Sequence, residues 1–132
     1  MYLLDTNICI ALIKANSTVE SIFLPRAIQC YVPTLVLAEL YKGVYCSQKV
    51  KDNLKNLNDF LILVAIVEFN RAAALEFGLI QSELRSKGKP TGDVDALIAA
   101  VARSRSDILV TDNIRHFKNI EGLKLENWLE EQ

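Results

Sequence analysis

Four acids in this chain stand among apolar residues. Asp5 closes Tyr2-Leu3-Leu4, and Glu39 lies inside Val36-Leu37-Ala38-Glu39-Leu40-Tyr41. Asp95 opens Asp95-Ala96-Leu97-Ile98-Ala99-Ala100, and Asp112 closes Ile108-Leu109-Val110-Thr111. Carboxylates are rarely buried unless they are paired or bound to a metal. None of the four has a basic residue as an immediate neighbour. Two carboxylates ~4 Å apart repel by about 4 kcal/mol at an effective dielectric of ~20. A proton or a divalent cation must relieve such a cluster. Mg²⁺ is held by one or two carboxylates plus waters, which leaves positions for phosphate oxygens. An all-oxygen set without histidine or cysteine ligands favours Mg²⁺ or Mn²⁺ over zinc. Such a metal generates hydroxide and stabilises a leaving oxygen. The expected chemistry is therefore metal-assisted attack on an anionic substrate.

Each acid also has a plainer reading. Asp5 could cap a helix starting at Asn7, although Thr6 and Asn7 add two further polar groups able to orient it. Glu39 could pair with Lys42 at i,i+3 on a helix surface, although Leu35 and Val36 make its face partly apolar. Asp95 could be a first-turn carboxylate facing a helix dipole. Its neighbours at i+3, i+4 and i+7 are Ile98, Ala99 and Ala102, which place it on the apolar stripe. Asp93 is better explained as a cap. Asp112 and Asn113 follow a strand and enter a turn, where both residue types are common.

The elements that must position these groups alternate between strand and helix. Tyr2 to Asp5 reads as a short strand, followed by a helix from Asn7 to about Lys14. Ser17-Thr18-Val19-Glu20 has capping-box spacing and starts a second helix to about Ile28. Cys30-Tyr31-Val32 is a strand stopped by Pro33, and Thr34 can cap a helix to about Tyr45. A polar helix covers about Gln48 to Leu57, and Leu61 to Ile66 reads as a third strand. A helix begins at Glu68 or Asn70 and runs to about Ser86, with Ala73, Phe77, Ile80 and Leu84 on one face. Ser86 to Gly92 is a loop by its Gly and Pro content. Asp93 caps a helix to about Ser104, Asp107 to Thr111 is a fourth strand, and Leu123-Lys124-Leu125 is a short edge strand. This alternation predicts an α/β/α sandwich with a mainly parallel central sheet. Ligands in such sheets bind outside the carboxyl ends of the strands. Asp5 and Asp112 are expected there, with Glu39 in a helix after a strand.

The chain has 132 residues, which fits one domain over 1–132. Hydrophobic residues make up 51% and charged residues 23%, the balance of a globular protein rather than a disordered one. No apolar run reaches the roughly 18 residues that suggest a membrane span. The N-terminus lacks the basic region of a secretory signal, so a cytoplasmic location is expected. Cys9, Cys30 and Cys46 form no CxxC pair or Cys/His cluster, and all three read as reduced core or near-core residues. His116 is the single histidine and matches no Ser-His-Asp or Cys-His motif. The net charge of −1 does not by itself announce a nucleic-acid binder. The distribution is more suggestive. Arg85, Lys87 and Lys89 precede Asp95, Arg103 and Arg105 follow it, and Arg115, His116 and Lys118 follow Asp112. These are either ordinary solvated faces or a basic rim around an acidic centre. The end is acidic, with Glu126, Glu130 and Glu131.

Five stretches occur in a telling order. They are Leu4-Asp5-Thr6-Asn7, Leu37-Ala38-Glu39-Leu40 followed by Gly43, Asp95 to Ala100, Leu109-Val110-Thr111-Asp112-Asn113 followed by Phe117, and Glu121-Gly122-Leu123-Lys124-Leu125-Glu126-Asn127-Trp128. In order and spacing the whole chain resembles PIN-domain ribonucleases, specifically the VapC toxins of bacterial toxin–antitoxin pairs. The resemblance implies a PIN-like fold and a Mg²⁺- or Mn²⁺-dependent endoribonuclease acting on structured RNA, often tRNA. It also implies a homodimer and a cognate VapB-type antitoxin whose tail blocks the acidic site, with hetero-oligomers forming on DNA. Asp5, Glu39 and Asp95 match family acids, and the fourth falls at Asp112 or Asn113. In the implied mechanism Asp5 and Asp95 hold the metal, and Glu39 holds the metal or orients the attacking water. Thr6, Asn7, Asp112 or Asn113 fix the surrounding hydrogen bonds, while Arg85, Lys87 and Lys89 position the RNA backbone.

Two other classes fit less well. An aspartyl-phosphate protein usually has a second Asp two residues after the first, where this chain has Asn7. A degenerate domain that only binds RNA or a partner would not need Asp5, Glu39 and Asp95 together.

Overall fold

The computed structural model describes residues 1–130, so Glu131 lies outside the described residues. Its centre is a five-stranded, wholly parallel sheet. The strands are β1 (Tyr2–Leu4), β2 (Cys30–Pro33), β3 (Ala65–Val67), β4 (Ile108–Val110) and β5 (Lys124–Glu126), in the order β3-β2-β1-β4-β5. The helices are α1 (Thr6–Ile13), α2 (Ser17–Phe23), α3 (Thr34–Tyr45), α4 (Val50–Leu61), α5 (Arg71–Lys87), α6 (Asp93–Arg105) and α7 (Ile114–Phe117).

Consecutive residues Leu3-Leu4, Tyr31-Val32 and Leu109-Val110 are buried, so both sheet faces are covered. The helices pack in two groups. In one, α1 touches α2, α3 and α4; in the other, α6 packs on α5 and α7. Ala96, Ala99, Ala100 and Ala102 are buried along α6, where small side chains allow close approach. The expected α/β/α sandwich is present.

The strand order carries the functional consequence. From β1 the chain moves to β2 and β3 on one side, then returns to β4 on the other. The carboxyl ends of β1 and β4 therefore flank a switch point, where α/β sheets form ligand crevices. The register pairs Leu4 with Val110, so the next residues, Asp5 and Thr111, emerge side by side.

Several local expectations change. Leu61 to Ile66 is not a strand: α4 continues through Leu61, and β3 begins only at Ala65. Leu54, Leu57 and Phe60 already repeat at helical spacing, and Leu57 and Phe60 are buried, so the amphipathic helix outcompetes the β-forming run. Ile62 and Leu63 are left exposed.

The second helix stops at Phe23 and continues as a 3-10 segment over Leu24–Gln29, because Pro25 has no N–H for the α-helical ladder. Its cap is Asn16, whose Oδ1 accepts from Val19 N–H, rather than Ser17.

Thr34 and Asp93 are not caps either. Pro33 and Gly92 occupy those positions. Thr34 Oγ1 instead accepts from Phe69 N–H, and Asp93 Oδ1 accepts from Gln81 Nε2. Asn70 does cap α5, and Gly88 closes that helix at φ 65°, a left-handed geometry that suits glycine.

Cys9 and Cys30 are buried, and burial pushes both thiols up, Cys30 to about 12. Cys46 departs from expectation: it is exposed at the end of α3.

Candidate active site

Asp5 is built into the sheet edge from both sides. Its backbone N–H donates to Val110 O at 3.0 Å, continuing the β1–β4 ladder one residue past the strands. Its side chain then caps α1. Oδ1 accepts from Thr6 N–H at 2.8 Å, and Oδ2 accepts from Thr111 Oγ1 at 2.7 Å. Capping and chemistry are therefore compatible here, and the helix starts at Thr6 rather than Asn7. Asp5 is 5% exposed. Burial raises its carboxyl above the ordinary value, and the nearby charges of Asp95 and Glu39 raise it further. The Thr111 and Thr6 hydrogen bonds pull the other way without cancelling the shift.

Glu39 reaches the same place from α3. Its Oε1 accepts from Thr6 Oγ1 at 2.9 Å, so Thr6 links the two acids through its amide and its hydroxyl. Glu39 is exposed, and among the described residues no ion pair joins it to Lys42. Asp95 comes from the first turn of α6, with a side chain 30% exposed. Its Oδ2 lies 3.0 Å from His116 Nδ1 on α7. Ile98, Ala99 and Ala102 below it are buried, as the apolar stripe predicts.

Asp112, Asn7 and Asn113 form the adjoining rim. Asn7 Oδ1 accepts from Asp112 N–H at 3.2 Å, and Asn113 N–H donates to Thr111 Oγ1 at 3.0 Å. The Asp112 carboxylate accepts from Asn127 Nδ2 at 3.2 Å and is exposed. Asp95 and Glu39 are both close enough to Asp5 for their charges to raise its carboxyl.

Three participants escaped the sequence reading. Thr111 is fully buried against Asp5, Asn127 holds Asp112, and His116 faces Asp95. Thr111 was findable: once Leu4 pairs with Val110, Thr111 must adjoin Asp5. The His116–Asp95 contact joins separate helices, and no local spacing announces it.

The basic residues are less free than their number suggests. Lys87 pairs with Glu121 at 2.9 Å, Arg103 with Glu76 and Glu83, and Arg105 with Asp107. Among the described residues, Arg85, Lys89, Arg115 and Lys118 make no ion pair. Arg85 lines an open concavity with Phe77, Gln81, Leu84 and Thr91.

The donor set has the chemistry of a hard-cation site. Among the described residues no Lys or Arg pairs with Asp5, Glu39 or Asp95. No group of three His, Cys, Asp or Glu side chains is already gathered as a ligand shell among those residues. A donor set made of carboxylates suits a cation that takes one or two of them and several waters, as Mg²⁺ does. It does not fit a closed site of the structural-zinc type.

Known proteins share this fold. The PIN domain model matches residues 2–123. A tRNA(fMet)-specific endonuclease VapC from Shigella flexneri is 38% identical over 129 residues, covering 96% of this chain and 97% of that protein. Among solved structures, VapBC2 from Rickettsia felis bound to a DNA fragment from their promoter has a TM-score of 0.91 at 37% identity, covering 96% of this chain and 98% of that one. DNA-bound VapBC from Salmonella typhimurium has a TM-score of 0.92 at 33% identity, covering 96% and 97%. With the fold, the switch-point acids and these full-length matches in agreement, the chain belongs to the PIN-domain family, in its VapC branch.

Proposed function

We propose that this chain is the toxin of a VapBC-type pair and acts in the cytoplasm as a Mg²⁺- or Mn²⁺-dependent endoribonuclease on structured RNA, with tRNA the leading substrate. The observation that carries this reading is Asp5: a buried carboxylate raised by burial and by two neighbouring acids, with no Lys or Arg paired to it among the described residues. A fold that needed only a helix cap would not bring Glu39 and Asp95 to it. The curated relative named for tRNA(fMet) supports the substrate class.

Asp5 and Asp95 would hold the cation, with Glu39 as a further ligand or as the group that orients the attacking water. When bound, the cation would lower the pKa of water and neutralise charge on the phosphate. Thr6 fixes the angle between Asp5 and Glu39 by bonding to both. The Thr111 hydroxyl holds Asp5 Oδ2, and Asn113 N–H in turn fixes that hydroxyl. Glu39 is exposed and so can accept a proton from the attacking water as the phosphorus–oxygen bond forms. The bond to the leaving oxygen then breaks, and that oxygen takes a proton from solvent as it departs as a hydroxyl. Asp112 completes the rim, and Arg85 and Lys89 contact the RNA backbone, joined by Lys87 where RNA displaces Glu121 from it; such contacts position substrate without reading sequence.

The partners follow the VapBC neighbours, which are bound to DNA. This chain is proposed to bind a cognate VapB-type antitoxin, to form a homodimer, and to join its antitoxin in a DNA-bound hetero-oligomer.

The deciding experiment is cleavage of total tRNA by antitoxin-free protein with Mg²⁺, Mn²⁺ or EDTA, beside Asp5→Asn. Discrete fragments that require metal and vanish in the variant are expected. Intact RNA across a broad panel would replace this reading with a binding-only domain.

A further inference from the structure

We propose that His116 is a positioning residue for Asp95, turning one carboxylate oxygen toward the cation while holding the other. The inference rests on the metal-dependent reading above and adds to it a role for the chain's single histidine.

The contact is 3.0 Å from His116 Nδ1 to Asp95 Oδ2. Two bare acceptors would repel at that distance, so a hydrogen must lie between them; with Asp95 ionised to hold a cation, that hydrogen belongs to Nδ1. Asp95 Oδ2 is thereby engaged, and Oδ1 is left for other partners. Among the described residues Asp95 has no other side-chain partner. Asp5, by contrast, has a donor on each oxygen. Among the described residues His116 is thus the side chain placed to set the orientation of Asp95.

The backbone around His116 is held for such a role. His116 N–H donates to Asn113 O, and His116 O accepts from Thr91 Oγ1, each at 3.0 Å. Thr91 lies just before α6, the helix that carries Asp95. The neighbouring Phe117 is fully buried and anchors α7. One short unit therefore ties the imidazole to the helix whose carboxylate it faces. The His116 side chain itself is half-exposed, so packing does not explain its placement.

Partners that orient ligating side chains typically change metal affinity by roughly 10–100-fold when removed. The test is Mn²⁺ affinity by calorimetry or EPR for wild type, Asp95→Asn, His116→Ala, His116→Asn and His116→Gln, with thermal melting as the fold control. The Asn amide nitrogen sits where Nδ1 sits, and the Gln amide nitrogen where Nε2 sits. Loss of roughly 10-fold or more in His116→Ala is expected, with recovery in His116→Asn and none in His116→Gln. Wild-type affinity in His116→Ala would overturn the proposal. So would a loss that Asn does not restore in a folded protein. If His116→Ala fails to fold, the Asn and Gln variants decide by the same comparison. Failure of the metal reading looks different: wild type would bind no Mn²⁺, or Asp95→Asn would bind it equally well.

Discussion

Two aspartates are buried at opposite ends of the same sheet, and the fold treats them in opposite ways. Asp107, 7% exposed, sits just before β4 at the amino ends of the strands. It accepts from Arg105 Nε at 2.8 Å and faces the Met1 ammonium at 3.3 Å. The Arg105 guanidinium also lies over the Tyr31 ring, 4.7 Å from its centroid. Burial alone would raise Asp107, yet its polar and cationic neighbours outweigh that and lower it. Asp5, 5% exposed at the carboxyl ends, has two threonine hydrogen bonds and two neighbouring carboxylates, and it is raised. The protein can neutralise a buried acid with its own cations, and does so where the acid is structural. At the switch point it supplies a backbone amide, a hydroxyl and more acids instead.

The sharpest way to break this comparison is to remove each charge. Asp5→Asn should lower RNA cleavage by roughly 10²-fold or more, the scale of losing one group that stabilises transition-state charge. Its melting temperature in EDTA should stay at or above that of wild type. Asp107→Asn should do the reverse. It leaves Arg105 under-paired and costs about 1–3 kcal/mol of stability, below the full buried-pair range because Arg105 is partly exposed. Its cleavage rate should hold wherever it is folded. Saturating Mn²⁺ should raise the melting temperature of wild type and Asp107→Asn, but not of Asp5→Asn. Melting curves with and without Mn²⁺, beside one cleavage assay, check all of these. An Asp5→Asn variant that cleaves normally would erase the distinction.

Acid titration sharpens the comparison by sign. The lowered Asp107 contributes stability above the unfolded-state value of 3.8 and loses it as pH falls through its depressed folded value. The raised Asp5 contributes below 3.8 and loses it as pH rises through its elevated folded value. In EDTA, Asp107→Asn should therefore flatten the rise of stability with pH, and Asp5→Asn should flatten the opposing fall. Melting temperatures measured between about pH 3 and pH 7 separate the two, and slopes of the same sign would refute the contrast.

The two ends also differed in how legible they were. Asp5, Glu39 and Asp95 stood out because an acid on an apolar stripe or at a strand end needs explaining. The parallel sheet was legible for the same kind of reason, since Tyr31-Val32 and Leu109-Val110 are continuous apolar runs. The Asp107 cluster was not, because Asp107 reads as the first residue of a strand until Met1 and Tyr31 are brought to it. Leu61 to Ile66 misled because residue type favoured a strand, while the side-chain repeat before it belonged to α4. Lys87, Arg103 and Arg105 looked like a basic rim because their acidic partners are distant in sequence or, for Asp107, assigned to a strand.

A finer division runs within the site. Thr111→Val removes the hydroxyl that meets Asp5 Oδ2 while keeping side-chain volume. Cleavage should fall by roughly 10–100-fold through misorientation of Asp5, a smaller loss than deleting the carboxylate.

Asp112 should matter less again. Its carboxylate is exposed and held by Asn127, and its firmest tie to the centre is its backbone N–H to Asn7. Asp112→Asn keeps that N–H, so the rim geometry survives and only one solvated charge is lost. Screening by water makes an exposed charge worth little beside a buried one. Cleavage by Asp112→Asn should therefore fall by less than in Thr111→Val, and well short of Asp95→Asn. A loss equal to Asp95→Asn in the same assay would move Asp112 from the rim into the metal-holding cluster.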